Sequence, residues 1–112
     1  MKLFQRQGGV PADVVERAEL PPGEKALAHT QAADATWVLG TRRFLVIVPS
    51  GGSAHRIPWE QVEDAVWDQE ASRLRVTEIG SYGEQRPVYS FEVERDPALF
   101  LQLLRERALE SQ

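Results

Sequence analysis

Ser53-Ala54-His55 sets a hydroxyl beside one of the two imidazoles of this chain of 112 residues, a pairing that could supply a nucleophile and its base for acyl transfer. The serine lacks the Gly-x-Ser-x-Gly elbow that presents a nucleophile, and within Pro49-Ser-Gly-Gly-Ser53 it reads as turn chemistry. His29 and His55 have neither a helical i, i+4 partner nor a carboxylate cluster beside them, so no metal site is spelled. The chain has no cysteine, which removes thiolate catalysis, disulfides and zinc fingers. Gly80 and Gly83 precede no helix and do not form a dinucleotide cradle, and Glu60, Glu63, Asp64, Asp68 and Glu70 are spaced like the wet side of a ribbon rather than a cation cage. No catalytic, metal or cofactor residues emerge, and the expectation is a protein that is not an enzyme.

Recognition chemistry is better represented. Arg42 and Arg43 fall at a hairpin tip, Arg56 on the neighbouring strand, and Arg73, Arg75 and Arg86 on the outer face of a later hairpin. Guanidinium groups pair with carboxylates and phosphates in a fixed fork, although arginines so spaced also serve as a salt-bridged surface. Of the three tryptophans, Trp37, Trp59 and Trp67, packing is the expected role; Trp59, between Pro58 and an acidic stretch, is also placed to sit half exposed on a partner surface. The candidate binding surface is therefore Arg42, Arg43, Arg56, Trp59, Arg73 and Arg75.

The elements that must position these residues are mostly strands. Pro11, Asp13 and the shared face of Val14, Val15 and Ala18 predict a short helix over Val10 to Leu20, ended by Leu20-Pro-Pro-Gly23. Strands are predicted over Glu24 to Thr30, Thr36 to Gly40, Phe44 to Val48, Ala54 to Pro58, Val62 to Trp67, Arg73 to Ile79 and Val88 to Glu94. Pro49-Ser-Gly-Gly-Ser53 predicts a hairpin between the third and fourth. The stretch from Trp59 to Trp67 fits a helical period as well as a ribbon. A closing helix opens on Asp96 as N-cap with Pro97 behind it, carries Leu99, Phe100, Leu103 and Leu104 towards the core, and ends with Arg105 and Arg107 near its negative pole.

Composition bounds the rest. An apolar fraction of 42% and a charged fraction of 27% fit one folded domain over 11–112, with 1–10 as a tail. The net charge of −4 disfavours non-specific nucleic-acid or anionic-membrane binding. The longest apolar run, Phe44-Leu-Val-Ile-Val48, is far short of a membrane span, and Met1 to Gly9 has no signal-peptide core, so a cytoplasmic protein is expected.

Gly40-Thr41-Arg42-Arg43 before an apolar strand, Ile57-Pro58-Trp59-Glu60-Gln61-Val62, Ala65-Val66-Trp67-Asp68 and the closing Leu103-Leu104-Arg105-Glu106-Arg107 resemble the bacterial pleckstrin-homology-like (PH-like) proteins, and more narrowly a small group of uncharacterised actinobacterial ones. The resemblance covers about Leu20 to Leu109. It implies a mainly β (α+β) fold: a strongly bent antiparallel sheet, or partly open barrel, of about seven strands capped by the C-terminal helix. It also implies a non-catalytic module that binds a protein or peptide, or associates with itself as a homo-oligomer. The same resemblance raises an alternative, binding of anionic lipid headgroups through Arg42, Arg43 and Arg56. The scarcity of lysine, at Lys2 and Lys25 only, departs from the lipid-binding pattern.

Overall fold

Phe44–Val48 is five apolar residues without a polar interruption, which a strand can carry only if both its faces are covered. The computed structural model, which describes residues 9–80, 86–93 and 97–110, supplies both covers. In chain order the elements are α1 (Ala12–Ala18), β1 (Ala28–Gln31), β2 (Trp37–Gly40), β3 (Phe44–Val48), β4 (His55–Pro58), a 3-10 turn (Trp59–Gln61), β5 (Val62–Asp68), β6 (Arg73–Glu78), β7 (Val88–Glu92) and α2 (Ala98–Glu110). The fold is mainly β, with two antiparallel sheets ordered β1-β2-β3-β4 and β5-β6-β7.

Alternate residues of the first sheet serve two separate cores. Val38, Leu45, Ile47 and Ile57 point inward, towards Leu74, Val76 and Phe91 of the second sheet and Phe100, Leu103 and Leu104 of α2. Leu39, Val46 and Val48 point the other way, onto Val14 and Ala18 of α1 and onto Val10. Burying each such side chain contributes about 1.5–3 kcal/mol, so α1 and α2 are both structural covers. Val10 belongs to the stretch read as a tail, yet it is fully buried; the rest of that stretch, apart from Gly9, lies outside the described residues.

Arg17 at the end of α1 donates to the Pro49 carbonyl at 2.6 Å, and Arg56 donates to the Ala18 carbonyl at 2.8 Å. Both bonds tie α1 to the first sheet, one reaching the residue after β3 and the other running from β4 to the last residue of α1. The two sheets meet along one edge, where Ala32 bridges Val93 and Ala33 N–H donates to the Glu92 carbonyl at 2.7 Å.

Several expectations need correction. β1 begins at Ala28 rather than Glu24, and Pro11 is the N-cap of α1 rather than its first turn. The ambiguous stretch is both things in succession, one 3-10 turn and then a strand. A register shift between Val62 and Asp64 turns Ala65 and Trp67 inward and leaves Val66 39% exposed. Leu99, expected in the core, is 77% exposed. With Phe100, Leu103 and Leu104 facing in, Leu99 lies about 100° round the helix from Phe100, beyond the edge of the buried stripe. The N-cap Asp96 lies outside the described residues.

Candidate functional site

The three-residue turn between β2 and β3 is built around Thr41, a fully buried hydroxyl. Thr41 Oγ1 accepts the Phe44 N–H at 2.9 Å and the Arg43 N–H at 3.2 Å, and donates to Glu24 Oε1 at 2.9 Å. Thr41 N–H donates to the Phe44 carbonyl at 2.8 Å. Trp59 then pins the turn from inside: its Nε1–H donates to the Thr41 carbonyl at 2.9 Å and its backbone N–H to the Arg43 carbonyl at 3.1 Å. A hydroxyl that accepts from nearby amides after it stabilises a tight turn without glycine.

This fixed turn holds Arg42 and Arg43 outward at the mouth of a pocket of about 270 Å³, whose remaining lining is Phe44, Pro58, Trp59, Glu60 and Arg107. Arg43 stacks its guanidinium 5.7 Å from the Phe44 ring centre and has Glu24 at 3.8 Å. Arg42 has no hydrogen-bond or ion-pair partner among the described residues. Arg107 is the member that sequence reasoning missed as a site residue. Its signal was present, because Phe100, Leu103, Leu104 and Arg107 are spaced i, i+3, i+4, i+7, so the residue read as a dipole complement continues the buried stripe.

The other proposed site residues lie elsewhere. Trp59, for which packing is the expected role and a half-exposed place the alternative, is 2% exposed and offers the pocket no more than part of its wall. Arg56 is spent on the Ala18 carbonyl, on the α1 side of the sheet. Arg73 donates to Ser90 Oγ at 3.2 Å beside Asp34 and Glu92, and Arg75 stands exposed opposite Ser90 on the outer face of β6. The six residues therefore fall into three places, of which one, the turn with Arg42, Arg43 and Trp59, forms a concavity with a positive lining.

A second concavity, of about 520 Å³, runs between β1 and the first turn of α2. Ala28 and Phe100 make its floor, and Leu27 and Leu99 stand on its rims, 46% and 77% exposed. Pro97 and Ala98 complete the helix side and His29 the strand side. Its lining is more apolar than polar, with the His29 ring as its titratable side chain.

A polar cluster joins the two sheets. Glu78 Oε1 accepts the Tyr89 hydroxyl at 2.9 Å and lies 3.0 Å from His55 Nε2, whose ring tilts over Tyr89 with centres 5.4 Å apart. Partial burial, the hydrogen bond to Glu78 and the Glu78 charge together push the Tyr89 hydroxyl up to about 12. Thr36 holds the Asp34 carboxyl below its usual range by donating its backbone N–H at 3.0 Å. Among the described residues no three His, Cys, Asp or Glu side chains gather as a metal site, and no helix is long and apolar enough to cross a membrane. No protein-family model matches the chain, and no curated protein sequence does so either.

Proposed function

We propose that this chain is a non-enzymatic PH-like interaction module that docks a partner polypeptide, through a bulky apolar side chain, in the groove between β1 and α2. The observation that carries the reading is the pair Leu27 and Leu99, two large apolar residues exposed on facing rims of one concavity. Scattered surface leucines need no explanation, but two that flank a groove floored by Phe100 provide walls for an inserted side chain. A helix-flanked groove of this kind suits a segment entering with one or two apolar anchors.

The architecture supports the PH-like part. Seven antiparallel strands, here in sheets of four and three, followed by a terminal helix against the core fit the strand number and closing helix that the resemblance implies. Such a module would work in the cytoplasm. Lipid binding through Arg42, Arg43 and Arg56 is the weaker reading, because Arg56 is engaged with α1 and does not reach the other two.

Selection of random peptides displayed against the full-length protein tests the reading. Recovered peptides that share one or two bulky apolar positions support it. Peptides without such positions, or recovery of none against a folded target, count against it.

A further inference from the structure

We propose that the outer edge of β7 is a self-association surface, on which a second copy of this chain pairs its own β7 antiparallel about a two-fold axis at Tyr89. Two bonds fix the phase of the strand: Val93 N–H donates to the Ser72 carbonyl at 2.8 Å and Glu78 N–H to the Pro87 carbonyl at 2.9 Å. Antiparallel pairing alternates, so Tyr89 and Phe91 turn their backbone groups to β6, while Val88, Ser90 and Glu92 turn theirs away from it. The Glu92 carbonyl accepts the Ala33 N–H at 2.7 Å, but the N–H and C=O groups of Val88 and Ser90 have no backbone partner among the described residues.

Among the described residues nothing shields this edge. Val88-Tyr89-Ser90-Phe91 holds no charge, no proline and no register shift, the features by which edge strands avoid pairing. β5, the opposite edge of the same sheet, has a register shift together with Glu63, Asp64 and Asp68, and α2 flanks β1. Val88 is 55% exposed and stands across from Thr77 on the outer face.

The open stretch selects its occupant. It is short, since Ala33 takes the slot beside Glu92, and Pro87, which has no N–H, turns its carbonyl to β6. A free peptide laid here would lose backbone freedom at each residue for few bonds, whereas a second β7 is already ordered by its own β6. With Tyr89 opposite the second copy's Tyr89, Val88 pairs with the second copy's Ser90 and Ser90 with its Val88. Every open N–H and C=O of Val88 and Ser90 on both copies then has a partner, and the two Val88 side chains come together on the outer face. Arg86, which holds Glu63 at 2.7 Å in its own copy, falls opposite the second copy's Glu92, so the register sets no like charges against each other. The interface is isologous and small, which makes it a weak and concentration-dependent one. It shares no residue with the Leu27–Leu99 groove, so the two readings stand or fall separately.

The test is sedimentation equilibrium of the full-length protein from about 10 µM to about 1 mM, in about 0.15 M salt to screen the repulsion between two chains of charge −4, with amide hydrogen exchange followed by nuclear magnetic resonance on the same samples. The mass is expected to rise towards that of two chains. Exchange at Val88 and Ser90 should slow about threefold or more over that range, while Tyr89 and Phe91 stay protected throughout. Val88→Lys, at an exposed position, should keep the parent's unfolding midpoint and remain monomeric, and Leu99→Glu should dimerise as the parent does. The proposal is overturned if the mass stays that of one chain up to about 1 mM, if a dimer forms without slower exchange at Val88 and Ser90, if Val88→Lys dimerises as the parent does, or if Leu99→Glu abolishes the dimer. A display-selected peptide that protects Val88 and Ser90 in a protein of monomeric mass would give the edge to a peptide, and would overturn it as well.

Discussion

The indole Nε1–H of Trp59 donates to the backbone carbonyl of Thr41 at 2.9 Å in the protein interior, so the residue that opens the 3-10 turn before β5 holds the turn between β2 and β3. An aromatic ring that fills core volume here also fixes the backbone that presents Arg42 and Arg43. Packing and site geometry therefore share one side chain.

Trp59→Phe keeps much of the ring but leaves the buried Thr41 carbonyl without its donor. It should destabilise the protein by about 1–3 kcal/mol in urea unfolding. A midpoint equal to the parent's would mean that this bond contributes nothing net.

Glu24 acts on the same turn from outside, through Thr41 Oγ1 and the Arg43 N–H. Glu24→Ala should cost about 1–2 kcal/mol and speed hydrogen exchange of the Arg43 and Phe44 amides, while amides of β6 keep their protection. Uniformly faster exchange across both sheets would instead indicate global destabilisation alone.

A Cβ added to Gly40 would come within 2.5 Å of Leu103 Cδ2, so α2 lies directly on the β2 backbone at that point. Gly40→Ala should therefore cost about 1–3 kcal/mol through overpacking. Combined with Leu103→Ala it should cost less than the sum of the two single changes, a coupling readable in a double-mutant cycle.

Tyr89 gives the protein an alkaline dependence. Its hydroxyl is raised from 10.0 to about 12 by partial burial and by Glu78, so the folded state favours the neutral phenol. That contribution is fully present below the unfolded value and is lost as pH rises from about 10 to about 12, reduced in size because the ring is only partly shielded from water. Tyr89→Phe should flatten the fall of the urea midpoint between about pH 9 and about pH 11.5. An identical fall in both proteins would assign it to other groups.

The strands were legible wherever the sequence pattern is local. Phe44–Val48 and its hairpin with β4 follow from an apolar run and a glycine-rich turn, and the pairing of Leu45 with Ile57 and Val46 with Arg56 is the register that results. What was not legible is non-local. The continuous run in β3 signals cover on two sides, but nothing in its residues says that α1 provides the second cover or that Arg56 will be drawn to Ala18. The β5 register shift exchanges which residues face inward, a change that alternation cannot reveal because alternation assumes no shift. At the site, Arg42 and Arg43 stood out by being adjacent in a turn, whereas Arg107 and Glu24 joined them through tertiary packing. The exposed rim residue Leu99 was read as core because apolar character alone does not give a residue's angle on its helix.

The central claim is tested most directly by the affinity of a display-selected peptide for the parent protein, for Leu99→Glu and for Arg42→Glu. Both substituted side chains are exposed, so both variants should unfold at the parent's midpoint. Leu99→Glu is predicted to weaken the peptide at least about tenfold, an unpaired carboxylate having been placed in an apolar contact, while Arg42→Glu leaves it within about twofold. Equal affinity for the parent and Leu99→Glu would contradict docking at this face, and would remove the groove between β1 and α2 as the binding site.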